Sequence, residues 1–293
     1  MKNFWKYIFS VLTLAMVAVW MAVFVSPDKN LHLIACDVGQ GDAILAVYGT
    51  TQILVDGGSN NKVLACLERY MPFWDRKIEI VLLSHPQLDH FGGLSEVFRR
   101  FQVQYFVATS LDSSSQSYQA LKTMVGGTNT EVVFPTTGMV IGTNSLYLDI
   151  VWPSDSFLLA EGVSSDSKVL GAFTSKRDPN EFSIVANLRL GNFDALLTGD
   201  IGPKTIEEII KTGKIHDVEY IKIPHHGSKN GLNKELLDAS LPEIAVISVG
   251  KNSYGHPNKE TLELLEKAEI LIKRTDIDGD IEVISNGRDW WLN

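Results

Sequence analysis

Residues 80–90 read Ile-Val-Leu-Leu-Ser-His-Pro-Gln-Leu-Asp-His. A run of strand-forming apolar residues stops at Ser84, and His85, Asp89 and His90 follow within six residues. The carboxyl end of such a strand is where α/β folds expose loops and collect ligands, because short polar side chains can converge there without burial cost. A lone His is more often a structural hydrogen bonder, and Asp beside Gly more often makes a turn. His-x-x-x-Asp-His resists that explanation, because three strong N/O ligands directly after one strand suit a divalent metal.

The same arrangement recurs along the chain. ILVDGG ends in Asp56, ALLTGD in Asp200, YIKIPHHGS carries His225, His226 and Ser228, and VISVGKNSYGHP carries His256. Five of the seven histidines lie in these segments, so a shared purpose is a better account than five separate structural roles. Around them, short β-rich runs (LHLIACD, AILAVY, QILVD, IEIVLLS) alternate with helical patterns near Lys62–Tyr70 and Leu94–Phe101. The second half continues with SLYLDIVW, FSIVANLRL, FDALLTGD, VEYIKIP, EIAVISVG and IEVIS, with helices over Pro203–Lys211 and Lys259–Ala268. The spacing predicts an α/β fold. Residues 153–181, rich in Ser, Asp, Lys and Gly, read as a long loop, either a binding flap or a mobile connection.

Tyr7 to Ser26 forms an uncharged, mostly apolar run of 20 residues, long enough to cross a hydrocarbon core of ~30 Å as a helix. Trp20, Phe24 and Val25 spoil a small-x-small cleavage site, and Lys2 and Lys6 precede the run while Asp28 follows it. Residues 1–27 therefore read as a transmembrane signal anchor with its N-terminus in the cytoplasm, and 28–293 as one domain outside it. The formal net charge is −9, and the two lysines of the anchor make the remainder more acidic still, which argues against a broad basic nucleic-acid platform. Cys36 and Cys66 sit among apolar neighbours, the setting of buried free thiols rather than of an obvious pair.

The order Asp, His-x-x-x-Asp-His, Asp, His resembles the metallo-β-lactamase superfamily, which implies an αββα sandwich with its metal site at one edge of two packed sheets. DVGQGDAIL (residues 37–45), LVDGG, LSHPQLDHFGGL, NEFS, LLTGD, IPHHGS, SYGHP and RTDIDGDIEV resemble, more narrowly, the extracellular hydrolase domain of ComEC-type competence proteins, from about Leu31 to the C-terminus. The resemblance implies metal ligation by His85, Asp89, His90, Asp200 and His225, with Asp200 able to bridge two ions. It implies catalytic roles for Asp89, His226 and His256, although either member of the 225/226 pair can supply the ligand. Asp56 matches a residue that orients ligands from behind. Asp37, Asp42 and Ser228 fall in matching motifs without an assigned role. The chain departs from the pattern at Gln87, where relatives carry His or Asp, and near Asn180 and Ser183, where the superfamily's third-motif His is absent. One position is therefore depleted and the other complete, and the cofactor implied is one or two divalent ions, Zn or Mn.

Together these readings point to hydrolysis of a phosphodiester, in extracellular DNA taken up by competent cells, by a water that the ion activates. Two other readings stand beside it: a cell-envelope hydrolase of teichoic-acid or phosphocholine esters, and a catalytically silent binding module, for which Gln87 speaks. Implied partners are the membrane through the N-terminal helix, single-stranded DNA or an envelope phosphodiester, and, since one apolar run builds no multi-helix pore, separate transport subunits for any role in uptake.

Overall fold

The computed structural model describes residues 2–25, 27–163 and 169–293, without the side chains at positions 2, 3, 18 and 21–25. The last residue of the apolar run, Ser26, and residues 164–168 of the expected long loop lie outside the described residues.

In chain order the elements are α1 (Lys2–Val25), β1 (Leu31–Ala35), β2 (Ile44–Tyr48), β3 (Thr51–Val55), α2 (Lys62–Tyr70), β4 (Lys77–Leu83), α3 (Leu88–Phe91), α4 (Leu94–Arg100), β5 (Gln102–Ala108), α5 (Gln116–Gly126), β6 (Glu131–Val133), β7 (Val140–Thr143) and β8 (Leu146–Trp152). There follow α6 (Asp155–Ala160), β9 (Val185–Leu190), β10 (Phe193–Leu197), α7 (Pro203–Lys211), β11 (Tyr220–Lys222), α8 (Lys234–Ser240), β12 (Ile244–Ile247), α9 (Lys259–Lys267), β13 (Leu271–Arg274), α10 (Thr275–Asp278), β14 (Ile281–Ser285) and β15 (Trp290–Leu292).

Two sheets result, ordered β15-β14-β1-β2-β3-β4-β5-β6 and β13-β12-β11-β10-β9-β8-β7. Each is antiparallel at one end and parallel at the other: β3 to β6 run parallel in the first, β10 to β13 in the second. Residues 80–83 of β4 and the whole of β12 lack polar alternation because both faces are covered. In β4, Ile80 and Leu82 point into the layer between the sheets, whereas Ile78, Val81 and Leu83 pack under helices. α2 contributes Val63, Leu64 and Leu67 from one face to that outer layer, and α7 and α8 cover the second sheet with Ile206, Ile209, Leu236 and Leu237. The layers are thus helix, sheet, sheet, helix, as the αββα expectation has it. The parallel halves of both sheets bring the ends of β3, β4, β10, β11 and β12 to one edge.

Two expectations are corrected. Part of residues 153–181 is ordered secondary structure: Ser154 caps α6, its Oγ accepting from the Phe157 N–H at 3.2 Å, and Phe157 packs 4.7 Å from the Trp152 ring and 5.0 Å from Phe182. Cys36 and Cys66 are not free thiols but a disulfide, with Cα atoms 5.9 Å apart. Apolar neighbours report burial and say nothing of pairing; the end of β1 and the inner face of α2 meet there. The apolar run is helical, and α1 covers 24 residues with Phe4, Trp5, Phe9, Leu12 and Leu14 exposed. Among the described residues no helix is long and apolar enough to cross a membrane.

The cross-link closes a loop 30 residues apart in sequence. A Cys36→Ala/Cys66→Ala variant is expected to lose about 2–4 kcal/mol of stability, read as a lower denaturant midpoint against the oxidised protein, with no such difference between the two proteins under a strong reductant.

Candidate metal centre

Asp56 follows β3, Ser84 and His85 follow β4, Asp200 follows β10, and Lys222 ends β11 just before His225 and His226. The β1–β2 connection folds over them and delivers Asp42. That close approach requires Gly41, at φ +130°, because a Cβ there would lie 2.2 Å from the Asp89 carbonyl oxygen. The Asp42 N–H donates to that oxygen at 3.1 Å. On the other side, His225 and His226 both adopt left-handed backbone, at φ 52° and 53°. Side chains rarely tolerate this, and such strain collects at functional sites. Here it turns His226 inward to 2% exposure and leaves His225 half-buried in the cleft wall.

Three histidine rings are aimed from behind. His90 Nδ1 donates to Asp56 Oδ2 at 2.7 Å, and the Asp56 carboxylate also accepts from the Ser84 N–H and hydroxyl, both at 2.7 Å. His226 Nδ1 donates to the Ser248 carbonyl at 2.9 Å. Since the Ser84 hydroxyl donates its hydrogen bond to Asp56, its oxygen accepts from His85 Nδ1 at 3.0 Å, and that nitrogen lies 3.3 Å from Ser183 Oγ. Each Nδ1 is therefore committed, and the three Nε2 atoms are buried with no hydrogen-bond partner, as is Asp200 Oδ1. Buried polar atoms are seldom left so, and metal-bound His characteristically presents one nitrogen while the other is tied back.

The distances test the fit. One ligand atom from each of Asp89, His90, Asp200 and His226 lies within 4.8 Å of the others. Asp200 Oδ2 is 3.3 Å from His90 Nε2 and 3.4 Å from His226 Nε2, which is itself 3.4 Å from Asp89 Oδ2. These exceed the ~2.7–2.9 Å of charge-assisted hydrogen bonds and match the edges of about 3.3–3.4 Å of a tetrahedron with ~2.0–2.1 Å bonds. The residues fit a divalent ion with N/O ligands. The charges agree: although burial alone would raise it, His226, His90 and Lys222 hold the Asp200 carboxyl well below its ordinary pKa. Burial opposes a charge on His226 too, but Asp200 and Asp42 push it up to about 9, so a cation entering the cluster displaces a proton there. His85 is the opposite case, lowered to about 3 by burial and by His90, and stays neutral with its Nε2 lone pair available.

The structure brings together Asp89, His90, Asp200 and His226, with His85 alongside, its ring 4.2 Å from that of His90. It exchanges the two histidines of the PHHGS segment: His226 stands in the cluster where His225 was expected, and His225 lies 5.7 Å, ring to ring, from His256 on the cleft wall. Gln87 and Asn180 line the same cleft, which has a volume of about 520 Å³, and Asn180 Oδ1 is buried without a partner. Ser183 Oγ accepts from the Asp200 N–H at 3.1 Å, and Asp42 lies buried 3.3 Å from His226 Nδ1. Asp37 is not in the site; its side chain accepts from the Gly39 N–H at 3.1 Å in the exposed part of the loop. Ser228 closes the turn after His226, accepting from the Asn230 N–H at 3.3 Å.

Lys222 escapes the sequence reading. It is 1% exposed, forms a short ion pair with Asp42, lies 3.5 Å from Asp200 Oδ1, and donates to the Gly199 carbonyl at 3.1 Å. Burial would lower its pKa, but Asp42 and Asp200 outweigh it and keep the ammonium charged. The available signal was a lysine inside the apolar run VEYIKIP, since a charged residue in a central strand survives only when paired.

A four-layer αββα sandwich with a His/Asp cluster at the open edge of its sheets defines a metallohydrolase-type architecture. Residues 36–251 match the metallo-beta-lactamase superfamily, and the chain belongs to it. Among its relatives are "Recombination protein 2" of Haemophilus influenzae, 26% identical over 253 residues, and "ComE operon protein 3" of Bacillus subtilis, 23% identical over 265. Each alignment covers 84% of this chain but only 28% and 32% of those proteins, so the chain spans about a third of their length or less. The fold is also that of YhfI from Bacillus subtilis (TM-score 0.54, 10% identity, 90% of this chain and 100% of that one). Igni18, a metallo hydrolase from Ignicoccus hospitalis, is similar (TM-score 0.53, 15% identity, 86% and 98%).

Asn tolerates left-handed backbone, so substitution at either histidine keeps the turn. His225→Asn is expected to retain full metal content, and His226→Asn to lose most of it, measured as metal per protein after dialysis. Equal retention in both would remove His226 from the ligand set.

Proposed function

We propose that this protein is a metal-dependent phosphodiesterase acting on nucleic acid outside the cytoplasmic membrane, to which the apolar run from Tyr7 to Ser26 anchors it. The observation that carries the reading is the convergence of the unpartnered Nε2 atoms of His90 and His226 with the Asp200 and Asp89 carboxylates beside an open cleft. When bound, the ion lowers the pKa of a water toward neutrality and offsets charge developing on phosphoryl oxygens. Asp89, the one cluster carboxylate partly open to the cleft, would help hold the ion and would orient the attacking water by accepting a hydrogen bond from it. His225 and His256 stand on the wall where a leaving oxygen would emerge. Burial and the flanking His225 and His226 keep His256 below the ordinary histidine pKa, so it acts as a neutral hydrogen-bonding group.

The donor atoms favour one tightly held ion. A second position would draw on His85, Asp200 and the neutral amides of Gln87 and Asn180, which are weak ligands beside the anionic first set. A location outside the cytoplasm is supported by the lysines that precede the apolar run and by the Cys36–Cys66 disulfide, which persists in oxidising compartments. The names of the relatives, a recombination protein and a ComE operon protein, favour nucleic acid. A role in DNA uptake would require separate transport subunits. The second reading, a choline-type envelope ester, draws on Asp89 and Asp178 in the cleft lining.

Gln87→Ala should leave metal content and phosphodiesterase turnover within about threefold of wild type, whereas Asp89→Ala and Asp200→Ala should each lower both by at least ~100-fold. Full turnover in Asp89→Ala would end the hydrolase reading. A reporter enzyme fused after residue 293 should be active only when it functions outside the cytoplasm; cytoplasmic activity would reverse the orientation.

A further inference from the structure

The cleft wall opposite the buried charges is built by the loop after β12. Gly250 packs against the β1–β2 connection so closely that a Cβ would meet the Gly39 and Gln40 backbone at 2.4–2.6 Å. Beyond it the loop is organised by one side chain. Asn252 Oδ1 accepts from the Tyr254 and His256 N–H groups at 3.0 and 3.1 Å, and its Nδ2 donates to the Gly250 and His256 carbonyls at 2.9 and 2.8 Å. The loop is therefore held in shape without help from the tyrosine. Tyr254 nonetheless stands in the cleft with 74% of its surface exposed, its ring 5.7 Å from His256 and tilted by 32°. Leu88, 54% exposed, lines the same cleft. A pre-positioned aromatic face with a free side, in a cleft that also carries an exposed leucine and the Asp89, Asp200 and His226 side chains, is a recognition surface rather than packing.

The charge of the cleft narrows what it recognises. Asp89, Asp178 and Asp200 line it, and among the described residues no Lys or Arg does. A polyanion cannot be held here by a cationic track, so affinity for nucleic acid must come from contacts to the bases. Stacking on an aromatic ring supplies this without sequence preference, and only an unpaired base offers a free face. A quaternary ammonium, the competing occupant, is bound by several converging aromatic faces, whereas Tyr254 is the one phenyl-type ring among the lining residues described.

We propose that Tyr254, backed by His256 in the cleft that Leu88 also lines, is the stacking platform for one base of a single-stranded nucleic acid, beside the phosphodiester presented to the His/Asp cluster. The proposal rests on the hydrolase reading and names its substrate class. Two esters with the same leaving group test it with the full-length chain in detergent: thymidine 5′-(p-nitrophenyl phosphate) and methyl p-nitrophenyl phosphate. Tyr254→Ala should raise KM for the nucleoside ester by about tenfold with kcat within about twofold, leave the methyl ester unchanged, and be rescued by Tyr254→Phe. Independently of turnover, the metal-free protein should bind an oligothymidylate of about four nucleotides with shallow salt dependence, weakened about tenfold by Tyr254→Ala. Equal effects on both esters would overturn the platform, as would oligothymidylate binding that is unmoved by Tyr254→Ala. An effect confined to p-nitrophenyl phosphorylcholine would also overturn it and assign the ring to a quaternary ammonium. Hydrolysis of neither ester by metal-loaded wild type would overturn the hydrolase reading alone, because the binding measurement still decides the role of Tyr254.

Discussion

The ion pair between Asp42 and Lys222 is the interaction on which the centre depends. Asp42 comes from the loop after β1 in one sheet and Lys222 from β11 in the other, so the pair joins the two sheets beneath the cluster. Four carboxylates, Asp42, Asp56, Asp89 and Asp200, crowd an edge where the first, second and fourth are almost wholly buried. Ionised groups withdrawn from water are costly unless paired, and breaking such a pair by removing one partner typically costs about 3–5 kcal/mol. Lys222 neutralises Asp42 directly and stands beside Asp200 Oδ1, while Asp200 Oδ2 turns to the histidines. A permanent cation on one side of Asp200 and the His90 and His226 imidazoles on the other divide its two oxygens between architecture and the candidate metal site.

That division explains the local geometry of the motifs. Asp42 reaches Lys222 only because Gly41 lets its loop lie on the Asp89 backbone, and the same contact fixes the start of α3, which carries Asp89 and His90. His226 reaches the cluster only through two successive left-handed residues. The strain is tolerated because the inward ring is tied back through Nδ1 to the Ser248 carbonyl, while Nε2 faces the Asp89 and Asp200 carboxylates at 3.4 Å. The disulfide from Cys36 to Cys66 fastens the base of the Asp42 loop to α2.

Much of this was legible because it follows from pattern. Ligands placed just after apolar strands converge where the carboxyl ends of an α/β fold gather; His85, Asp89, His90 and Asp200 are found on that ground and on the superfamily resemblance. What was not legible depended on backbone conformation or long-range pairing. Adjacent His225 and His226 are chemically equivalent in sequence, and only the left-handed turn tells which faces inward. Lys222 looked like an ordinary strand residue because its partner lies 180 positions earlier. Cys36 and Cys66 showed burial but not proximity. In residues 153–181, the Ser154 cap was hidden in a polar stretch where the single pattern of α6, six residues long, is too short for periodicity to register.

The contrast between the two potential metal positions follows from the same electrostatics. The set of Asp89, His90, Asp200 and His226 couples two anionic donors to two imidazoles whose distant nitrogens are tied back. The neighbouring set offers His85, held neutral by its burial, with amide groups and a share of a carboxylate already facing Lys222. Each divalent ion added to the first set offsets charge that the fold has left unbalanced. An ion added to the second would approach the Lys222 ammonium and gain little from Gln87 or Asn180. A fixed cation in the second sheet therefore does, for the buried carboxylates, part of what a second metal does in a site with full ligands at both positions.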